Sequence, residues 1–228
     1  YLLGNEDEGM KLDFIDISRA YFQADAIRDV YVELPGEDWE QGMCGRLKKS
    51  MHGTRDAAQN WGEEYSRFMT ESGFVRGKSS PCVFWHPDRE IRCVVHGDDF
   101  TVLAWEAQLD WFWGMFQKRF ESKHRGRLGP GRNDKKQIRI LNRIVEWTDK
   151  GIYYEGDQRH VEICVKQMGL EESTREVMTP VDRSTKDPRN ANSLKMKEQE
   201  SQPLSSSAAT MYRGMTARMN YLGQDRSE

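Results

Sequence analysis

Residues 91–105 read IRCVVHGDDFTVLAW, two short apolar runs parted by Gly97-Asp98-Asp99. Val, Ile, Phe and Thr favour extended chain, and a glycine followed by aspartates between two such runs is hairpin-turn chemistry. Two adjacent carboxylates at a hairpin tip are, in isolation, ordinary solvated turn residues. Their company changes that. Upstream, residues 11–17 read KLDFIDI, a short strand in which Leu12, Phe14 and Asp16 share a face. Asp16 therefore projects from the rim of a sheet. Should this strand lie beside the hairpin, Asp16, Asp98 and Asp99 converge on one exposed edge. Like charges about 4 Å apart repel by about 4 kcal/mol at an effective dielectric of about 20. Hard divalent cations relieve that repulsion, since Mg²⁺ is held by one or two carboxylates together with substrate phosphates and water. A pair of such ions about 3.5–4 Å apart serves an in-line phosphoryl displacement.

Outward from these strands, SRAYFQADAI continues as a helical turn, and VYVEL (30–34) is β-rich and closed by Pro35-Gly36. Between Arg55 and Phe74 the residues Ala58, Trp61, Tyr65, Phe68 and Met69 recur at helical spacing, with Gly73 as the C-terminal cap. CVFWH (82–86) reads as a strand. Residues 106–121 place Leu109, Phe112, Phe116 and Phe120 on one helical face. After a Gly-Pro-Gly loop (129–131), IRILNRIVEW and GIYYEG flank TDKG as a second hairpin, and HVEICVKQMGL (160–170) is a helix ending at Gly169. Residues 183–207 are polar and Ser- and Lys-rich, the composition of a flexible linker, and 208–222 form a last amphipathic helix. Hairpins mixed unevenly with helices predict an α+β fold.

Hydrophobic residues at 37% and aromatics at 11% suit a folded chain. With 34 Lys and Arg against 37 Asp and Glu, the formal net charge of -3 lacks the basic surplus by which most proteins grip nucleic acid. No run of about 18 apolar residues predicts a membrane span. The opening YLLGNEDEG has neither the basic start nor the apolar core of a signal peptide, so an intracellular setting is expected. It also lacks an initiator Met, and the chain stops at QDRSE, which predicts a fragment of something longer. Cys44, Cys82, Cys93 and Cys164 are scattered with no C-x-x-C pair, as expected of reduced thiols.

Several stretches, in order, resemble the reverse transcriptases of copia-type retrotransposons (Ty/copia, Pseudoviridae). FIDISRAYFQAD resembles a block written M-D-V-x-x-A-F-L-x-G, and CGRLKKSMHGTRDAAQNW resembles C-x-L-x-K-S-L-Y-G-L-K-Q-A-P-R-x-W. ESGFVRGKSSPCVFW is similar to G-F-x-x-S-x-x-D-P-C-V-Y, and VVHGDDFTVLA is similar to the Y-V-D-D hairpin. RFESKHRGRL, YEGDQRHVEICVKQMGL, TPVD and YRGMTARMNYLGQDR resemble later blocks, so the likeness runs over about residues 11–225. His96 and Gly97 stand where that family more often has Tyr and Val.

This resemblance implies a polymerase palm-like antiparallel sheet with helices packed on one face, lacking most of the fingers. It implies a palm core at 1–125, a hairpin-plus-helix extension at 126–182, the linker at 183–207 and a truncated helical segment at 208–228. Asp16 and Asp98 would bind two Mg²⁺ ions (or Mn²⁺), with Asp99 completing the catalytic triad. Tyr21, five positions after Asp16, would lie beneath the sugar of the incoming dNTP and collide with a 2′-hydroxyl. Ile17 and Gly53 would join the substrate site, and Lys123 would serve as general acid toward pyrophosphate. Tyr21 also fits as simple helix packing, Gly53 as a turn glycine, and Lys48, Lys49 and Arg55 as charged surface. The implied partners are an RNA or DNA template with its primer, dNTPs, and the integrase and RNase H regions of a polyprotein, in a cytoplasmic particle or the nucleus. Two alternatives stand beside it. Gly-Asp-Asp is the usual hairpin of viral RNA-dependent RNA polymerases, although these want a carboxylate where Tyr21 stands. A catalytically dead remnant of a decayed element is the other, and the segment alone is expected to be inactive or nearly so.

Overall fold

In β6 (Ile91–His96) the odd residues Ile91, Cys93 and Val95 are buried and the even ones Arg92, Val94 and His96 are exposed, so one face of the hairpin is dry. Its partner β7 (Asp99–Ala104) buries Phe100, Val102 and Ala104 on the same side. A computed structural model of the chain describes residues 9–156, 158–170 and 203–223. Within it β1 (Lys11–Ile17) pairs antiparallel with β7, and β8 (Ser122–Leu128) pairs antiparallel with β1 on its other side. With β4 (Val75–Arg76) and β5 (Val83–His86) they form an antiparallel six-stranded sheet of order β4-β5-β6-β7-β1-β8. The first strand of the chain thus lies between two later ones, and β7 and β8, both antiparallel to it, run parallel to each other.

The dry face takes two helices. In α1 (Ala57–Glu71) Trp61, Tyr65 and Met69 follow one another at one-turn spacing and are buried. In α2 (Glu106–Arg119) the buried stripe is Leu109, Phe112 and Phe116. Their rings interlock with the sheet at edge-to-face angles: Trp61 meets Phe120 at 5.2 Å, Tyr65 meets Phe100 at 5.5 Å, and Phe100 meets Phe116 at 4.8 Å. The other face of the sheet carries Asp16 and Asp99 at one end. Further along, Leu12, Trp85, Arg92, Val94, Thr101 and Leu103 line an apolar groove.

Several expectations change. VYVEL shrinks to the two-residue strand β2 (Tyr31–Val32), paired with β3 (Gly45–Arg46). The expected second hairpin is a three-stranded sheet of β9 (Gln137–Ile140), β10 (Arg143–Thr148) and β11 (Gly151–Glu155), in the order β11-β10-β9. Its extra turn is Leu141-Asn142 with φ of 48 and 62. A domain boundary at 125 would cut through β8. Contacts instead divide the chain into a unit that runs to Ile138 and takes in Val145–Tyr153, and a unit of Arg139–Ile144 with the described residues from Tyr154 on. The second unit holds α3 (Gln158–Met168) and α4 (Ser206–Gly223). The expected linker at 183–207 lies mostly outside the described residues, and its end, from Ser206, is already helical. All four cysteines are free thiols. Among the described residues no helix is long and apolar enough to cross a membrane.

Candidate active site

The turn between β6 and β7 is two residues long, because His96 and Asp99 are register partners. Gly97 has φ 65 while Asp98 keeps a negative φ, the pattern of a type II′ turn, which wants glycine first. Two bonds pin this turn. Trp61 of α1 donates its indole N–H to the Gly97 carbonyl at 2.8 Å, and the Ile17 N–H donates to the Asp98 carbonyl at 2.9 Å. Trp61→Phe should remove the first bond and cost about 1–2 kcal/mol in all. Hydrogen exchange checks it: the amides around Gly97–Asp99 should exchange faster than in the parent chain.

Across the rim, Asp99, Asp16 and Lys123 stand side by side on β7, β1 and β8, since Asp16 is the register partner of both others. Directly opposite residues present their side chains to the same face of a sheet. Asp16 and Asp99 are therefore brought together from positions 83 residues apart. Asp98 lies beside them in the turn, its side chain exposed.

Between the two paired carboxylates sits Arg125, a residue the sequence reading passed over. Its Nη2 is 2.9 Å from Asp16 Oδ1 and 3.8 Å from Asp99 Oδ1. The β1–β8 register jumps from Phe14↔Gly126 to Ile15↔His124, so Arg125 is the extra residue of a β-bulge. Gly126 in a basic run was the available signal, since a glycine inside a strand marks a bulge. Asp99 Oδ1 is buried and has no hydrogen-bond partner. Burial pushes the Asp99 carboxyl above its usual range; Arg125 pulls it down, and the charges of Asp98 and Asp16 push it up again.

Whether these residues suit Mg²⁺ can be tested on the donors themselves. Hard carboxylate oxygens are the right chemistry, two such groups are the usual number for Mg²⁺, and the buried Asp99 Oδ1 has no hydrogen-bond donor, its positive neighbour Arg125 standing 3.8 Å away. They fit as a pair. Among the described residues no group of three or more His, Cys, Asp or Glu is disposed to hold a metal ion.

The remaining candidates fall around the turn that follows β1. Residues Ala20–Gln23 form a single 3₁₀ turn, held to Glu121 just before β8 by Gln23, whose Nε2 donates to the Glu121 carbonyl (3.1 Å) and whose Oε1 accepts the Glu121 N–H (2.9 Å). Tyr21 is half-buried against the core, with its ring 4.5 Å from that of His52. Gly53 has φ 87, a left-handed angle that a side chain would strain, and a Cβ there would meet nothing within 4 Å. The turn reading explains its angle, and the open space leaves room for a ligand. Ile17 is 1% exposed, so only its backbone faces the turn. Lys123 is exposed beside Asp16, while Lys49 is paired with Asp25 at 2.6 Å.

No protein-family profile matches the chain. Among curated proteins it is similar to the "Retrovirus-related Pol polyprotein from transposon TNT 1-94" of Nicotiana tabacum. The two are 23% identical over 183 residues, covering 75% of this chain and 13% of that protein's length.

Proposed function

From the retrotransposon polyprotein origin that this similarity supports, we propose that the chain is the catalytic region of a copia-type RNA-directed DNA polymerase. It joins dNTPs to a primer 3′-hydroxyl on an RNA or DNA template. The observation that carries this is the cross-strand pairing of Asp16 with Asp99 on one rim, with Asp98 in the adjoining turn. Asp16 and Asp99 are the pair that would hold Mg²⁺, with Asp98 in the adjoining turn; when bound, the ion would lower the hydroxyl's pKa and neutralise charge on the departing pyrophosphate.

The chain's own residues position and select. Trp61 and Ile17 fix the turn so that the carboxylates do not have to be ordered during the reaction. Tyr21 presents its ring to the sugar and excludes a 2′-hydroxyl. Lys123, the register partner of Asp16, would give a proton to pyrophosphate. Gly53 leaves the backbone open for the incoming nucleotide or the template. Base pairing, not protein contact to base edges, chooses the nucleotide. Integrase and RNase H regions of the same polyprotein are the expected partners.

Primer extension on an RNA template by the polyprotein carrying this chain tests the proposal. Extension should need Mg²⁺ and prefer dNTPs. Tyr21→Ala should raise ribonucleotide incorporation relative to deoxynucleotide roughly 10–100-fold, the scale at which a pocket discriminates by steric fit. An unchanged ratio rejects the gate; no extension by the intact polyprotein rejects the polymerase.

A further inference from the structure

The cation now lying between Asp16 and Asp99 belongs to the protein, and its placement is built. Lys135 donates its ammonium to the Arg125 carbonyl at 2.6 Å and its backbone N–H to the Arg127 carbonyl at 2.8 Å, clamping both sides of the bulge. Gly126 suits this place because its φ of 146 is an angle that residues with a side chain rarely adopt. The clamp turns Arg125 onto the carboxylate face.

Its grip on the carboxylates is nevertheless incomplete. Two residues on, Arg127 holds Asp13 by two bonds of 2.7 and 2.9 Å, the forked geometry a guanidinium prefers. Arg125 makes one such bond, to Asp16, and stands too far from Asp99 Oδ1 to donate to it. The Arg125 side chain is 43% exposed against 15% for Arg127, so water lies at its back and an exit is open.

We propose that Arg125 is a resident counter-ion that holds the seat between Asp16 and Asp99 and yields it to a divalent cation. This rests on the metal-binding reading of those carboxylates. Arg125 is then a positioning residue: it keeps two like charges together on the rim, and it sets a threshold that the ion must exceed to enter. Removing it leaves the carboxylates uncompensated, so the site should bind a cation more tightly while the cation-free protein becomes less stable.

Mn²⁺ titration of the full chain, followed by calorimetry, tests this with Arg125→Gln, Arg125→Lys and Asp16→Asn. Arg125→Gln should bind Mn²⁺ roughly tenfold tighter than the parent chain, a change on the scale seen when groups around metal ligands are altered. It should melt lower in chelator, with the gap closing as Mn²⁺ is added. Arg125→Lys, which keeps the charge but not the fork, should fall between the two and gives the answer if the Gln variant does not fold. Mn²⁺ affinity that is lost in Asp16→Asn yet unchanged or weaker in both Arg125 variants overturns the counter-ion and leaves the carboxylate site standing. Equal Mn²⁺ binding by all four proteins overturns the metal site and the counter-ion with it.

Discussion

Asp16→Asn in the polyprotein should reduce primer extension on the order of a thousandfold or more while leaving the fold in place. Bound metal contributes several kcal/mol of charge stabilisation in phosphoryl transfer, and each 1.4 kcal/mol or so is a factor of ten in rate. Asparagine keeps the shape of the side chain but loses the charge that a cation needs. Stability should barely move, for two opposing reasons. The bond to Arg125 is lost, but it joins a partly exposed pair worth about 0–1 kcal/mol. Meanwhile the repulsion between Asp16 and Asp99 is relieved, removing one of the influences that push the Asp99 carboxyl upward. Single-turnover extension beside a thermal melt separates the two effects. Retained extension with an unchanged melt would remove Asp16 from the reaction; lost extension with a collapsed melt would make its role merely structural.

The strands around the carboxylates were legible from their β-rich runs. IRCVVH alternates cleanly between buried and exposed; in KLDFIDI Phe14 is buried along with Asp13 and Ile15, yet β1 covers the same residues in the fold as in the sequence. The helices were legible for the matching reason, Trp61, Tyr65 and Met69 being one turn apart. Strand order was not. Nothing in a linear pattern says that β1 lies between β7 and β8, since that is decided by which faces the helices can cover. Strand β8 was invisible because SKHRGRL is charged throughout and only Leu128 is buried, as an edge strand permits. Arg125 was missed with it, because only the bulge in that strand aims it at Asp16. The Leu141-Asn142 turn was missed because its two positive φ angles are usually announced by Asn-Gly or Asp-Gly.

Asp13→Ala should destabilise the chain by about 3 kcal/mol, toward the lower end of the range for breaking a buried ion pair by deleting one partner. Asp13 is 1% exposed and lies on the helix-facing side of β1, where Arg127 binds it through Nε and Nη2 and His124 Nε2 stands at 3.0 Å. The lower end is expected because Arg127 keeps Asp110 at 2.8 Å and Glu106 at 3.2 Å. For a chain of this size, that corresponds to a fall in Tm of roughly 6–12 °C. The pH dependence identifies the cause. Burial pushes the Asp13 carboxyl up, but the hydrogen bonds and charges of Arg127 and His124 outweigh it, and the group lies below its ordinary value. Its stabilisation is therefore complete above about pH 4, the unfolded carboxylate range. It is lost as pH falls through the lowered folded value, where the unfolded chain binds the extra proton. Asp99, held above its ordinary value, gives the opposite slope: its ionisation weakens the fold as pH rises through that raised value. Urea melts from pH 2 to 7 should accordingly show the parent chain losing stability steeply in acid and Asp13→Ala losing less. Parallel curves would mean that Asp13 contributes by packing alone, and that the lock holding β8, with Arg125 on it, against β1 is not ionic.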